Sequence, residues 1–247
     1  MTHSEVQGIR LAIHGASGRT GRRAAALAAA DARFESVLEA DRSLDPSVPR
    51  PTPNLIVDFT SDAGARRAVE LARKWSAALL VATTGLTDET LSAIDALATE
   101  LPVMLAPNTS RGVAILNRLA LLAAELVGPG FDVDLIEAHH RHKQDAPSGT
   151  AVRLRELLRE TSGGPLGTDA THAVRAGGLI GEHSLLFTGG HEQLIVTHRA
   201  LDRDLFASGA LDAACWLAER PAGFYRVDEA WGLAPTPAGG SHDPDGA

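Results

Sequence analysis

The chain has 247 residues, 44% of them hydrophobic, a formal net charge of −8 and a single cysteine, Cys215. That length can bury a sizeable core in one large or two modest domains, and one cysteine excludes an internal disulfide framework. The acidic balance argues against nucleic-acid or anionic-membrane partners, because phosphate binding needs a basic face and here the positive charge is local. No apolar run approaches the roughly 20 residues of a membrane span and the N-terminus MTHSEVQG has no signal-peptide core, so a cytoplasmic globular protein is expected.

The first predicted element is a short apolar strand, Ile9 to His14, which runs into Gly15-Ala16-Ser17-Gly18-Arg19-Thr20-Gly21 and an alanine-rich helix. Glycines at this turn would let the backbone approach a pyrophosphate held at the helix N-terminus. The spacing is GxxGxxG rather than GxGxxG, so an ordinary strand-to-helix turn is the competing reading, and the flanking strand and helix favour the functional one. Phe34 to Glu39 reads as the second strand, with Glu39 close to where an acidic residue would bond an adenosine ribose. An irregular connector, Ser43 to Pro53, precedes strands at Asn54 to Phe59, Ala78 to Ala82 and Val103 to Ala106. Helices capped by Thr60-Ser61-Asp62 and Thr87-Asp88-Glu89 separate them. This alternation predicts an α/β, Rossmann-type parallel sheet with ligands beyond the strand ends at Gly15, Glu39, Thr60, Thr83-Thr84-Gly85 and Pro107-Asn108.

A helix from Val113 to Leu126, ended by Gly128-Pro129-Gly130, leaves this domain, and Asp132 to Glu137 alternates as a strand with one covered face. That strand delivers EAHHRHKQDAPSGTA, residues 137–151. His139, His140, Arg141, His142 and Lys143 form a dense cationic, proton-transferring cluster, and the helix start at Ser148-Gly149-Thr150 turns backbone N–H groups toward an anion. The guest that fits is a small carboxylate. A continued strand would put His139, Arg141 and Lys143 on one side and His140 and His142 on the other, so the cluster is expected on a loop. A merely solvated basic loop is the alternative; a zinc site fits less well, since the histidines lack helical i, i+4 spacing and a Cys/His partner pattern, and no metal is expected. Arg175 to Ala210 reads as two strands about Gly189-Gly190 and then a helix to Leu217. His183, His191 and His198 are assigned to packing there, as is helical Cys215. The apolar strand faces need more cover than two helices supply, which points to oligomerisation.

The run HHRHKQDAPSGTA, preceded by Glu137-Ala138, closely resembles the signature of the 4-hydroxy-tetrahydrodipicolinate reductase (dihydrodipicolinate reductase) family, nicotinamide-dependent enzymes of lysine and diaminopimelate synthesis. The resemblance implies NADH or NADPH as cofactor, contacted by Gly15, Ala16, Ser17, Gly18, Arg19, Thr20, Glu39, Ala82, Thr83, Thr84, Ala106, Pro107, Asn108 and Thr109. It implies a cyclic, dicarboxylated imine as substrate, His139 as acid/base and Lys143 as proton donor and carboxylate partner. His140 with Ser148, Gly149 and Thr150 would bind the substrate carboxylates. The same resemblance implies a dinucleotide domain of residues 1–110 completed by 220–235 and an α+β substrate domain of 111–219 built on an open mixed sheet that assembles tetramers, while the composition of 236–247 reads as a disordered tail.

Departures from the family pattern bear on the cofactor. Ala82 stands where glycine is usual, APNTSRG replaces a run closer to ANFSVG, and Ala40 follows Glu39 where many relatives carry a basic residue for the 2′-phosphate of NADPH. NADH is therefore expected to serve at least as well as NADPH, unless Arg42 swings to the phosphate. Two other readings stand beside the reductase: an enzyme acting on another cyclic imino acid, and a nicotinamide-nucleotide sensor without turnover.

Overall fold

The computed structural model describes residues 8–41, 51–162 and 171–233. Arg42, most of the connector from Ser43, the glycine-rich break after Ser162 and the expected tail at 236–247 lie outside the described residues. Two compact units divide the chain: residues 1–110 with 204–232, and residues 111–203 with 233–247.

The first unit is a parallel sheet with helices on both faces. Its strands are β1 (Ile9–His14), β2 (Phe34–Ala40), β3 (Leu55–Asp58), β4 (Ala78–Val81), β5 (Pro102–Leu105) and β10 (Gly223–Arg226), in the order β10-β5-β4-β3-β1-β2. Each neighbouring pair is parallel. β3 and β4 read LIVD and ALLV, buried at every position, as befits central strands covered on both faces. Helices α1 (Arg19–Ala29) and α6 (Asp204–Ala218) share one apolar cluster with Leu11, Ile13, Leu55 and Leu80. Helices α2 (Asp62–Trp75) and α3 (Asp88–Ala98) cover Ala12, Ile56 and Leu79 on the opposite face. The predicted caps are in place: Ser61 Oγ accepts from Gly64 N and Thr87 Oγ1 from Thr90 N.

One boundary differs from the sequence reading. The helix ending near Leu217 was expected in the substrate domain, 111–219, yet α6 belongs to the first unit. Its face of Ala207, Ala210, Ala213, Ala214 and Leu217 is buried, and small side chains let it lie close: a Cβ on Gly209 would stand 1.9 Å from the carbonyl oxygen of Thr109. Periodicity identifies an apolar helix face but not which apolar surface it covers.

The second unit contains α4 (Arg111–Val127), β6 (Asp132–His139), α5 (Gly149–Ser162), β7 (Thr171–Arg175), β8 (Gly181–Thr188) and β9 (Gln193–Ala200). Its sheet runs β7-β6-β8-β9, parallel between β6 and β7 and antiparallel elsewhere, the open mixed sheet expected. β7 was not predicted. Leu116, Ala120, Leu135, Leu154, Leu185 and Phe187 close the core between this sheet and its two helices. The statement that no apolar run nears membrane-spanning length needs correction: Arg111–Gly130 is long and apolar enough by length and composition. One face of it packs into the second unit's core, with Leu116, Ala120 and Ala124 buried, while Ile115, Leu119, Leu122 and Leu126 are exposed beside Arg118 and Glu125.

Candidate active site

In the first unit, the parallel order brings the carboxyl ends of β1, β3, β4 and β5 side by side, and α1 starts directly after the glycine turn. Gly15 has φ +87°, and a Cβ there would meet Thr60 Cγ2 at 2.8 Å and the Phe59 carbonyl oxygen at 2.9 Å. Gly21 packs closer still, its hypothetical Cβ 2.1 Å from the Gly15 carbonyl. Both positions therefore require glycine. Gly18 caps α1 without any side-chain hydrogen bond, which leaves first-turn N–H groups available to a phosphate. A cavity of about 850 Å³ opens here, lined among others by Gly15, Ser17, Gly18, Asp41, Thr60 and Arg67. These features fit a dinucleotide.

Several predicted cofactor residues occupy other roles. Glu39 is exposed one residue before the end of β2, its backbone in register with Ile13, and Asp41, just past the strand end, lines the cavity. Ala16 and Ala106 are buried in the core, and Ala82 packs against it. The Thr83 hydroxyl donates to Asp58 (2.6 Å) and accepts from Thr60 N (2.8 Å). Thr109 donates to the Phe206 carbonyl at 2.6 Å, and Asn108 Oδ1 accepts from Ser110 N. Side chains of Ala16, Ala82, Thr83, Ala106 and Thr109 are thus committed to the protein, so any ligand contact from them falls to the backbone. Arg19, Thr84 and Pro107 are exposed and Thr20 is half-buried.

In the second unit, the covered face of β6 carries Val133, Leu135, Glu137 and His139 in alternation, so that it changes from apolar to ionisable toward its end. His139 is therefore the last strand residue, and the loop begins at His140. Glu137 is fully buried and accepts four hydrogen bonds: His139 Nδ1 (2.5 Å), Arg175 Nη1 (2.8 Å) and Nη2 (2.6 Å), and Ser148 N (3.1 Å). Burial alone would raise its pKa, but Arg175 and His139 outweigh burial and hold the carboxyl below its usual range. Burial depresses the His139 pKa, with Lys143 and Arg175 adding to the effect and Glu137 opposing it. Since an ionised carboxylate only accepts, the bond to Glu137 puts a proton on Nδ1 and leaves Nε2 as the atom available for exchange.

After His139 the chain turns as expected: Lys143 N donates to the His140 carbonyl at 3.0 Å. Lys143 Nζ pairs with Asp145 at 2.8 Å. His140 is half-buried, and its pKa is lowered by desolvation and then by Arg203 and its other cationic neighbours. His142 and Gly149 are exposed, Thr150 is half-buried, and Ser148 is buried, its Oγ accepting from Ala151 N at 3.2 Å as the cap of α5. Sequence reasoning missed Arg175 and His183. His183, assigned to packing, sits opposite Glu137 on β8, 3.0 Å from Ser148 Oγ and edge-on to His139 with ring centroids 5.2 Å apart. The usable signal was its parity with buried Leu185 and Phe187. His191 is exposed and His198 pairs across from His183. Cys215 is half-buried, and burial pushes its thiol up to about 11, consistent with packing rather than nucleophilic chemistry.

Known proteins resemble this chain across both units. Residues 9–109 match the family model described as dihydrodipicolinate reductase, N-terminus, and residues 112–230 match dihydrodipicolinate reductase, C-terminus. A 4-hydroxy-tetrahydrodipicolinate reductase of Alkalilimnicola ehrlichii is 39% identical over 73% of this chain and 74% of its own. The enzyme of the same name from Myxococcus xanthus is 38% identical over 78% of each chain. Among solved structures, the dipicolinate-bound dihydrodipicolinate reductase from Paenisporosarcina sp. TG-14 superposes with a TM-score of 0.73 at 26% identity, covering 90% of this chain and 98% of that one. The chain belongs to the dihydrodipicolinate reductase family.

Proposed function

We propose that this protein reduces 4-hydroxy-tetrahydrodipicolinate (dihydrodipicolinate) to tetrahydrodipicolinate with a nicotinamide cofactor, in lysine and diaminopimelate synthesis. The observation that carries this is the buried Glu137–His139 pair beside a helix start: an oriented imidazole adjoins an array suited to carboxylates. When bound, the reduced nicotinamide would supply a hydride to a ring carbon of the dihydrodipicolinate that the 4-hydroxy compound becomes on losing its hydroxyl as water. His139 delivers the compensating proton from Nε2 while Glu137 holds Nδ1. Lys143, His140 and the N-terminal turn of α5, from Ser148 through Thr150, hold the carboxylates, and their negative charge raises the His139 pKa that burial and nearby cations depress. Glycine-loop backbone and the first turn of α1 hold the diphosphate, and Asp41, in place of Glu39, meets the adenosine ribose.

The assembly is a homo-oligomer, a tetramer by family resemblance, in the cytoplasm. Support comes from apolar surface on the second unit: Ile115, Leu119, Leu122 and Leu126 form an exposed stripe along α4, and Leu194 and Ile195 are exposed on edge strand β9. The decisive experiment is a coupled assay in which the synthase forms the substrate from pyruvate and aspartate semialdehyde, with NADH or NADPH oxidation followed. Oxidation dependent on both synthase substrates is expected. Its absence with both cofactors, in protein shown to bind NADH, would favour the sensor reading.

A further inference from the structure

Ser148 and His183 share a hydrogen bond whose direction is decided by what surrounds it. Ser148 Oγ already accepts from Ala151 N at 3.2 Å, and His183 Nε2 lies 3.0 Å away. A hydroxyl offers one proton and two lone pairs. If Ser148 donated to Nε2, the His183 proton would sit on Nδ1, which is buried and has no hydrogen-bond partner among the described residues. An orphaned buried N–H is rare and costly, whereas an unused lone pair is tolerated more often. The ring therefore carries its proton on Nε2 and donates to Ser148. Both acceptor sites of the serine are then filled, and its own proton must point to a third partner.

The Ser148 backbone is fixed by its N–H bond to Glu137 Oε1 at 3.1 Å, and the next residue, Gly149, is exposed with no atom within 4 Å of where a Cβ would stand. Resting on the substrate reading above, we infer that His183 is a positioning residue that aims the Ser148 hydroxyl proton at a substrate carboxylate. It acts through Ser148 and takes no part in proton transfer. Burial, with a smaller contribution from His139, pushes its pKa down to about 4, so the ring stays neutral at working pH and has one N–H to place.

Two measurements on the full-length protein test this. Nitrogen-15 NMR of the histidine rings reports the tautomer directly, with Nε2–H expected for His183; an Nδ1–H tautomer would overturn the inference without any substitution. Dipicolinate, a planar dicarboxylate, then serves as binding probe. In His183→Asn the shorter amide cannot reach Ser148, and affinity should fall on the order of tenfold to a hundredfold, as for one hydrogen bond to a charged group. Ser148→Ala should lose the same factor, the double variant should lose no more than either, and His183→Gln, which restores a donor near Nε2, should recover most of the affinity. KM should rise by more than kcat falls, with NADH affinity unchanged. Wild-type affinity in His183→Asn, or losses that multiply in the double variant, would overturn the positioning role. A wild-type protein that binds no dicarboxylate would instead overturn the substrate reading on which it rests.

Discussion

Glu137 and Arg175 meet through two hydrogen bonds, Nη1 to Oε2 at 2.8 Å and Nη2 to Oε1 at 2.6 Å, joining β6 to the end of β7. Truncating one member of a buried pair leaves the other charge uncompensated, so Arg175→Ala should destabilise the protein by about 3–5 kcal/mol. The folded carboxyl titrates below its ordinary range, so its stabilisation is complete above that range and is lost as pH falls through the folded pKa. Urea denaturation checks the size. A loss under about 1 kcal/mol, the scale of an exposed pair, would mean that the bond is not the buried contact described.

His139 is the proton-transfer residue of the proposed mechanism, so His139→Gln should lose about 10²–10⁴ in turnover with a smaller change in substrate affinity. His140→Gln should chiefly weaken substrate binding, and His142→Gln, altering an exposed ring, should do little to either. Steady-state kinetics with dipicolinate titration separates the three. Near-normal turnover in His139→Gln would remove that imidazole from the mechanism.

Lys143 is held at 2.8 Å by Asp145, whose pKa this bond lowers. Lys143→Ala should weaken dicarboxylate binding by about 2–5 kcal/mol, the scale for truncating one member of a desolvated charge pair, and should also slow turnover. NADH affinity should barely change, because the proposed diphosphate site is the glycine loop of the other unit. Fluorescence titration showing an equal loss for NADH would relocate the lysine.

Asp41 faces the first unit's cavity, where a carboxylate accepts bonds from ribose hydroxyls and repels a 2′-phosphate. NADH should therefore serve at least as well as NADPH, and Asp41→Ala should weaken NADH by roughly tenfold while shifting the ratio toward NADPH. Glu39→Ala should leave both cofactors nearly unaffected. If Glu39→Ala produces the loss and Asp41→Ala does not, the assignment reverses.

Burial lowers the His183 pKa from 6.5 to about 4, so the unfolded chain binds its proton more readily. Stability from this group is present above pH 6.5 and is lost as pH falls toward 4, in total about 3 kcal/mol. His139 shifts in the same direction, so the comparison is between wild type and His183→Gln. The variant should show a shallower fall in denaturant midpoint across that window, and identical slopes would contradict the buried, neutral ring.

Much of this arrangement was legible in local pattern. The caps at Ser61 and Thr87, the helix start at Ser148 and the parity of β6 are short-range features, and the chain behaves accordingly. What escaped reading was set by register between distant segments. Arg175 reaches Glu137 because β7 pairs parallel to β6, and His183 reaches Ser148 because β8 pairs antiparallel to it. Sequence pattern places Glu39 near the end of the second strand but cannot locate that end to a residue without its neighbour: β2 runs to Ala40, opposite His14, and Asp41 follows it.

The placement of α6 also sets an order of events on the ribosome. Five of the six strands of the first sheet precede residue 110, but one of its faces receives Ala210, Ala214 and Leu217 only after residues 111–203 of the second unit have been translated. Until then Leu55, Val57 and Leu80 lack the cover that α6 gives them, and the edge beside β5 stays open for β10. The dinucleotide unit therefore cannot complete its core until α6 and β10 emerge, whereas the inserted unit carries a core of its own and can close first.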